Sequence, residues 1–476
     1  MNEAPIGSAA AAESPRLRPT WRDSDRFVPR AFVRPALRFT RVEAAGGLVM
    51  LAAAIVALLW ANSPWYHGYE AMLRAPFVLQ LGHVVQLDMD VHALINDGLM
   101  TLFFLLAGLE IKRQLVTGEL RDRRAAALPA IAALGGMVVP ALIYTAFNAG
   151  HAGAGGWGIP VATDIAFAVG VVTLAGPRVP LGARIFILTL AVVDDVGGIV
   201  VIAVFYAEDV RLAWLALAAL AVVATVVLRR AEVRSIVPYV VLGAVCWYGL
   251  RRCGVEAAIA GVVFGLLTPT RPFHDPSHFG DVTRELIDRI EHSDEVAVED
   301  LARYATETAS PLERIEGRLN LWVAFGIVPL FALANAGVRL DTGALDGRVL
   351  AGVTLGLVVG KTVGVLGGAW LAVRLGVGRL PTSATWRHML GLAVTAGIGF
   401  TVALFVTGLS FTDPALTSSA KIGILLASTM AGLVGFALLR TLPAVPIAAI
   451  DPPPPADAST GTQPLPVGQS SGASSR

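Results

Sequence analysis

Residues 185–207 read IFILTLAVVDDVGGIVVIAVFYA, an apolar run interrupted by one adjacent pair of acids, Asp194 and Asp195. A helix needs roughly 20 apolar residues to cross the hydrocarbon of a bilayer, and this run supplies them. The acids have purely apolar turns on either side. A carboxylate at mid-bilayer costs at least roughly 2.5 kcal/mol, so each such residue points to function. Successive helix positions lie about 100° apart, which turns the two side chains toward one shared sector without stacking them. They can line one cavity together.

The rest of the chain agrees with a membrane setting. Of its 476 residues, 55% are hydrophobic and only 15% charged, too apolar for a soluble chain to cover with polar surface. Other spanning windows include Ala44 to Ala61 and Val349 to Val373. The formal net charge of +1 gives no sign of nucleic acid or acidic partners, and only local charge is informative. Cys246 and Cys253 lie seven apart on one face of a predicted helix and read as small apolar packers.

Spans are expected near 42–61, 93–111, 126–147, 159–175, 183–206, 211–229, 234–250, 255–270, 320–337, 349–373, 386–411 and 418–439. Lys112, Arg113, Arg121, Arg123 and Arg124 follow the second; Arg229, Arg230 and Arg234 follow the sixth; Arg374, Arg379 and Arg387 follow the tenth. The opposite loops are poorer in Arg and Lys, so the positive-inside rule places both termini in the cytoplasm. Residues 1–40 read as a basic, disordered cytoplasmic arm carrying Arg16 to Arg38, residues 41–440 as the transmembrane domain, and residues 441–476 as a disordered Pro/Ser/Gly-rich cytoplasmic tail. The external loop 62–92 contains an alternating segment, Phe77 to Val91, that predicts a short β-hairpin able to pair with its twin in a second subunit. The internal loop 271–318 is dense in charge, with Arg284 to Glu291 and Val298 to Glu307 reading as amphipathic surface helices.

Two carboxylates in a poorly solvated cavity cannot both ionise without a counter-cation, because desolvation and mutual repulsion penalise the doubly charged state. Sodium, a hard cation that prefers oxygen ligands, or protons can answer that charge. If the same oxygens take one or the other, exchange follows from competition; the plainer reading is a helix–helix hydrogen bond between buried acids. Lys361, in GLVVGKTVGVLGG at 356–368, is too central to snorkel and calls for a carboxylate partner, from which it can give up a proton when that partner binds sodium. Asp164, in GIPVATDIAFAVG at 158–170, follows Thr163 and is bracketed by Gly158, Pro160 and Gly170, the pattern of an interrupted helix. TAGIGFTVA at 395–403, with Gly397 and Gly399 before Thr401, is its counterpart. Interrupted segments at corresponding places in two halves are expected of inverted repeats, here spans 3–5 and 10–12. Where broken helices meet, Asp164 can answer two facing N-termini and Lys361 two facing C-termini. The eight histidines fall in loops or at span ends, as His67, His151, His278 and His388 do, which leaves carboxylates and lysine to titrate within the membrane.

These motifs resemble the bacterial NhaA-type sodium/proton antiporters. The resemblance runs from about Arg41 to Arg440 through NDGLMTLFFLLAGLEIKR (96–113), ATDIAFAVG (162–170), LAVVDDVGGI (190–199), VPLFALANAGV (328–338), GKTVG (360–364) and TAGIGFTVALF (395–405). It implies an all-α polytopic protein of about twelve helices with inverted repeats and two crossed, interrupted helices, spans 4 and 11. The implied protein is an inner-membrane homodimer, joined through the periplasmic hairpin, that exports sodium or lithium for a larger number of entering protons and uses no cofactor. Position by position, Asp195 and Asp194 match the cation- and proton-binding pair, Asp164 and Thr163 the crossing-helix acid and its neighbour, and Lys361 the membrane lysine. Glu110 and Arg113 fall in the cytoplasmic funnel. Glu316 is retained where the family usually reads LEHxLHPW, but Gly317 and Asn320 replace its histidines, and Gln114 replaces a familiar glutamate. In the family those positions belong to a proposed pH-sensing cluster, so the resemblance does not carry the family's activation pH over to this chain. Two other classes use membrane carboxylates: sodium-coupled organic-solute symporters with similar crossed helices, and intramembrane aspartyl proteases, which place their acids on separate helices.

Overall fold

The computed structural model describes residues 44–444 apart from 82–84, 208, 232, 234, 273–278, 292–299, 302–303, 305–306 and 341–344. The expected basic arm, nearly all of the expected tail and part of the second amphipathic helix lie outside the described residues. Along the chain, α1 (Ala44–Ala61) and α2 (Tyr66–Leu73) precede an antiparallel hairpin of β1 (Pro76–Leu81) and β2 (Val85–Asp90). This is the predicted hairpin, with Leu79 opposite Leu87. Then come α3 (Val91–Val116) and α4 (Arg124–Asn148), a 3-10 segment over Ala152–Val161, and α5 (Ile165–Ala175). Next along the chain are α6 (Leu181–Phe205), α7 (Leu212–Arg230), α8 (Ile236–Cys253), α9 (Ile259–Leu267) and α10 (Phe279–Glu291). It continues with α11 (Pro311–Asn335), α12 (Gly347–Arg374), α13 (Trp386–Thr395), α14 (Phe400–Ser410) and α15 (Pro414–Arg440).

Seven of these helices, α3, α4, α6, α7, α11, α12 and α15, are each long and apolar enough to cross a membrane, and counting three bent pairs as one span each brings the number to ten. The twelve spans expected from hydropathy include two more, α8 and α9. α8 carries Arg251 and Arg252 in its last turn and ends at Cys253, after which Gly254 takes a left-handed φ of 90° and closes the helix. α9 keeps only 9 residues of the expected 255–270, about 14 Å at helical rise, because residues 255–258 form a bend and turn instead and the helix ends before Thr268. α11 starts earlier than expected: Ser310 and Glu313 form a capping box, with Pro311 in the first turn.

The spans meet through small residues. At Gly108 on α3 a Cβ would sit 2.7 Å from the Val262 carbonyl, and at Gly265 on α9 one would sit 2.7 Å from the Leu105 carbonyl. Backbones in lipid approach this closely only where side chains are absent. α4 and α12 meet in the same way, with Gly135 against Gly364. Helix α12 also carries a π turn over Gly356–Gly360, directly before Lys361. π turns recur in α3 over Leu94–Leu99 and in α11 over Val323–Ile327, and such turns gather at functional positions.

Candidate functional site

Two broken helices build the centre of the molecule. The 3-10 segment and the helix opening at Ile165 are bent 45° to one another, and α13 and α14 are bent 43°. The breaks are bonded together. Asp164 N donates to the Ile398 carbonyl at 2.7 Å, and Thr163 Oγ1 donates to the Ala396 carbonyl at 2.8 Å. The carboxylate of Asp164 accepts from Phe167 N in the first turn of α5 (3.2 Å), and from Thr401 N (3.0 Å) and Thr401 Oγ1 (2.7 Å) at the start of α14. One buried acid thus caps two helix N-termini, where orphan amides and the positive dipole end both favour it.

The glycines at the second break are required by contact. A Cβ at Gly397 would lie 2.6 Å from the Leu357 carbonyl, and one at Gly399 would lie 2.8 Å from Leu357 Cδ2 and 3.1 Å from the Ala162 carbonyl. Gly397→Ala is therefore expected to lower stability by about 1–3 kcal/mol, as overpacking does. Gly408→Ala, where a Cβ meets nothing within 4 Å, serves as the control; equal melting temperatures of the two variants would contradict the close approach.

Beside the breaks, Lys361 Nζ donates to Asp194 Oδ2 at 2.5 Å, with both side chains fully buried. The other oxygen of Asp194, Oδ1, is buried with no hydrogen-bond partner. Asp195 is only partly buried, and among the described residues none donates a hydrogen bond to it. Buried polar atoms are nearly always paired, so an orphaned carboxylate oxygen beside a carboxylate that accepts no hydrogen bond from the described residues is an unusual concentration of negative charge. One lysine answers one of two adjacent acids. The bond observed for Lys361 goes to Asp194.

The stripe of α6 that carries Asp195 leads to a cavity at either end. Leu188, two turns before Asp195, lines a cavity of about 600 Å³ with Gln114, Thr117, Arg121, Asp122 and Thr189. In the other direction Ile202 is buried in the main apolar core. Beyond it Tyr206 lines a cavity of about 700 Å³ on the hairpin side. At helical rise Asp195 stands about 10 Å from Leu188 and about 16 Å from Tyr206.

Glu110, Arg113 and Glu316 form a separate cluster across α3 and α11. Arg113 Nη2 donates to both carboxylate oxygens of Glu110 at 2.7 Å, and its Nε lies 3.4 Å from Glu316 Oε1. Gln114 Nε2 donates to Glu110 Oε1 at 3.1 Å. Gly317 and Asn320 are exposed. Two pairings were not read from the sequence. Arg251 on α8 pairs with Asp97 in the π turn of α3, and Asn335 Nδ2 donates to Asn96 Oδ1 at 2.8 Å. Asp97 lies within one of the quoted motifs, but a charge at a span end is unremarkable by itself.

Comparison with known proteins gives this arrangement a context. The family described as Na+/H+ antiporter 1 matches residues 37–439. A protein of Anaeromyxobacter sp. (strain Fw109-5) named Na(+)/H(+) antiporter NhaA is 45% identical over 425 residues, covering 87% of this chain and 93% of its own. Na(+)/H(+) antiporter NhaA 2 of Myxococcus xanthus is 44% identical over 421 residues, 86% of this chain and 89% of its own. The NhaA antiporter of Rhodopirellula baltica is 43% identical over 421 residues, 87% of this chain and 95% of its own. These matches run through the described membrane helices from the first to the last, and the chain belongs to the NhaA family of Na+/H+ antiporters, a transporter rather than an enzyme.

Proposed function

We propose that Asp194 and Asp195 bind one sodium or lithium ion in competition with protons, and that the cycle exchanges roughly two protons per cation, from the carboxylate and lysine that titrate. The observation that carries this reading is the shortage of positive charge: one lysine stands beside two acids and bonds one oxygen of Asp194, leaving Asp194 Oδ1 and the Asp195 carboxylate without a hydrogen bond from the described residues. In the proton-loaded state Asp195 is neutral and the Lys361 ammonium sits on ionised Asp194. A cation entering between the two acids takes the place of the Asp195 proton and of the proton on Lys361. Two protons leave for one cation, so one net charge moves per cycle.

The cavity at Leu188 and Arg121 is the cytoplasmic mouth and the cavity at Tyr206 the external one, so that both termini are cytoplasmic in the bacterial inner membrane, in keeping with the basic loops. Twelve spans follow when α8 and α9 complete the count. The inverted repeats are then α4 to α6 and α12 to α15: in each, a long helix precedes a bent pair and another long helix follows it. Asp164 offsets the facing N-termini and holds the crossing in place, with Thr163 and Thr401. The Glu110, Arg113 and Glu316 cluster adjusts access with pH, the hairpin joins two copies into a dimer, and the physiological role is sodium and pH homeostasis.

The test is recovery of a quenched pH-sensitive dye when sodium is added to everted vesicles carrying the protein. Sodium-dependent recovery is expected, and its absence throughout about pH 6 to 9, the range of perturbed carboxylates and lysines, would contradict the reading.

A further inference from the structure

We infer that the Asp97–Arg251 ion pair is a latch that holds the hairpin-side mouth of the ion pathway closed. The inference rests on the proposed reading that Asp195 is reached alternately from two sides. The cavity at Tyr206 is lined by Asp97, Arg251, Glu256 and Leu409, yet it stops short of Asp195. Between them lies apolar packing: Ile202 belongs to the same buried cluster as Phe104 and Phe405, whose ring centroids are 5.3 Å apart. Opening this side requires α3, which carries Phe104, to part from its neighbours.

What ties α3 at that end is specific. Helix α8 packs chiefly on α7. Its hydrogen bonds and ion pair to α3 all converge on Asp97: Arg251 pairs with the carboxylate, and Trp247 Nε1 donates to the Asp97 carbonyl at 2.9 Å. The other charges facing the cavity are engaged elsewhere or lie at its rim. The Arg252 guanidinium stands 5.5 Å from the Tyr248 ring and 5.9 Å from the Trp214 ring, and its Nε donates to Tyr248 Oη. Glu256 accepts from Ala258 N in the turn before α9. Asp88 lies exposed on β2. Arg251 is therefore the cation that serves Asp97.

The two side chains of the pair are 26% and 27% exposed. A pair so placed is stable enough to bias an equilibrium and weak enough to break within a transport cycle. Asp97 also sits within the π turn Leu94–Leu99, a place where a helix can shift register locally. Breaking the pair removes the ionic tie at the hairpin-side end of α3 and leaves there the weaker hydrogen bonds of Trp247 to the Asp97 carbonyl and of Asn335 to Asn96, so that end parts more readily and water then reaches past Tyr206 to Ile202.

Labelling tests this without relying on transport. Ile202→Cys is placed in a background of Cys246→Ala and Cys253→Ala and exposed to a membrane-impermeant maleimide on the hairpin side of oriented vesicles. Leu409→Cys, at the cavity wall, reports that the reagent reaches the cavity. With Asp97→Asn or Arg251→Gln, labelling at 202 is expected to rise about fivefold, the equivalent of about 1 kcal/mol, while labelling at 409 stays constant. The exchanged pair, Asp97→Arg with Arg251→Asp, is expected to return it toward the starting rate, which a merely misfolded variant would not do. Unchanged labelling at 202 in both single variants overturns the latch even if sodium–proton exchange is intact. Labelling of 409 only from the opposite side overturns the sidedness and the latch with it.

Discussion

Replacing Asp195 by asparagine is expected to reduce sodium-dependent proton movement by about two orders of magnitude or more, while the melting temperature stays close to that of the parent. The first effect follows from charge. A carboxylate that meets its cation in a low-dielectric site contributes about 2–5 kcal/mol, and each 1.4 kcal/mol is about tenfold. The second follows from the structure: Asp195 is partly accessible and receives no hydrogen bond from a described residue, so an amide of the same shape disturbs no partner. Asp194→Asn differs. It also impairs transport, but it leaves the Lys361 ammonium buried opposite a neutral amide and lowers stability as well. Dye recovery in everted vesicles and thermal unfolding in detergent, measured on both variants, separate the two acids. A large stability loss in Asp195→Asn with none in Asp194→Asn would reverse their assignment.

Lys361→Gln carries the second large effect. Removing one partner of a buried pair costs about 3–5 kcal/mol because the remaining charge has neither water nor counter-ion. Asp194 Oδ1 already lacks a hydrogen bond, so the exposed deficit falls on a carboxylate with little else to rely on. The double variant Asp194→Asn with Lys361→Gln removes both charges and is expected to recover a large part of that loss, which gives the coupling directly. Function should change in kind as well as amount. Without the lysine proton, one cation exchanges for one proton and the movement becomes electroneutral, so a potassium–valinomycin diffusion potential that drives transport by the parent leaves the variant unaffected. A variant whose rate still follows the membrane potential would show that Lys361 carries none of the exchanged protons.

Much of this was legible in the residues, for reasons that differ from place to place. Hydropathy located α3, α4, α6, α12 and α15 because a spanning helix must satisfy every backbone group internally, so its apolar run is long and continuous. Gly158 and Pro160 before Thr163 announced the first break, and Gly397 and Gly399 before Thr401 announced the second. The alternation over Phe77 to Val91 announced the hairpin. Other features depend on contacts that a linear pattern does not contain. α9 is little more than half the expected length because turns and a bend replace helix at 255–258, where Glu256 accepts from Ala258 N, and the helix stops before Thr268. The choice of Asp194 by Lys361 depends on how α12 and α6 meet, 167 residues apart in the chain, and Asp97 with Arg251 required knowing that α8 reaches α3.

The most direct test of competition at Asp194 and Asp195 is the sodium concentration for half-maximal exchange, measured from about pH 6 to 9. Ligands that must lose protons to bind a cation make affinity pH-dependent. That concentration should rise steeply toward acid, approaching about a hundredfold per pH unit where two protons compete with one sodium, with the maximal rate recovered at high sodium. A half-maximal concentration that stays constant across the range, with only the maximal rate falling, would contradict a shared site.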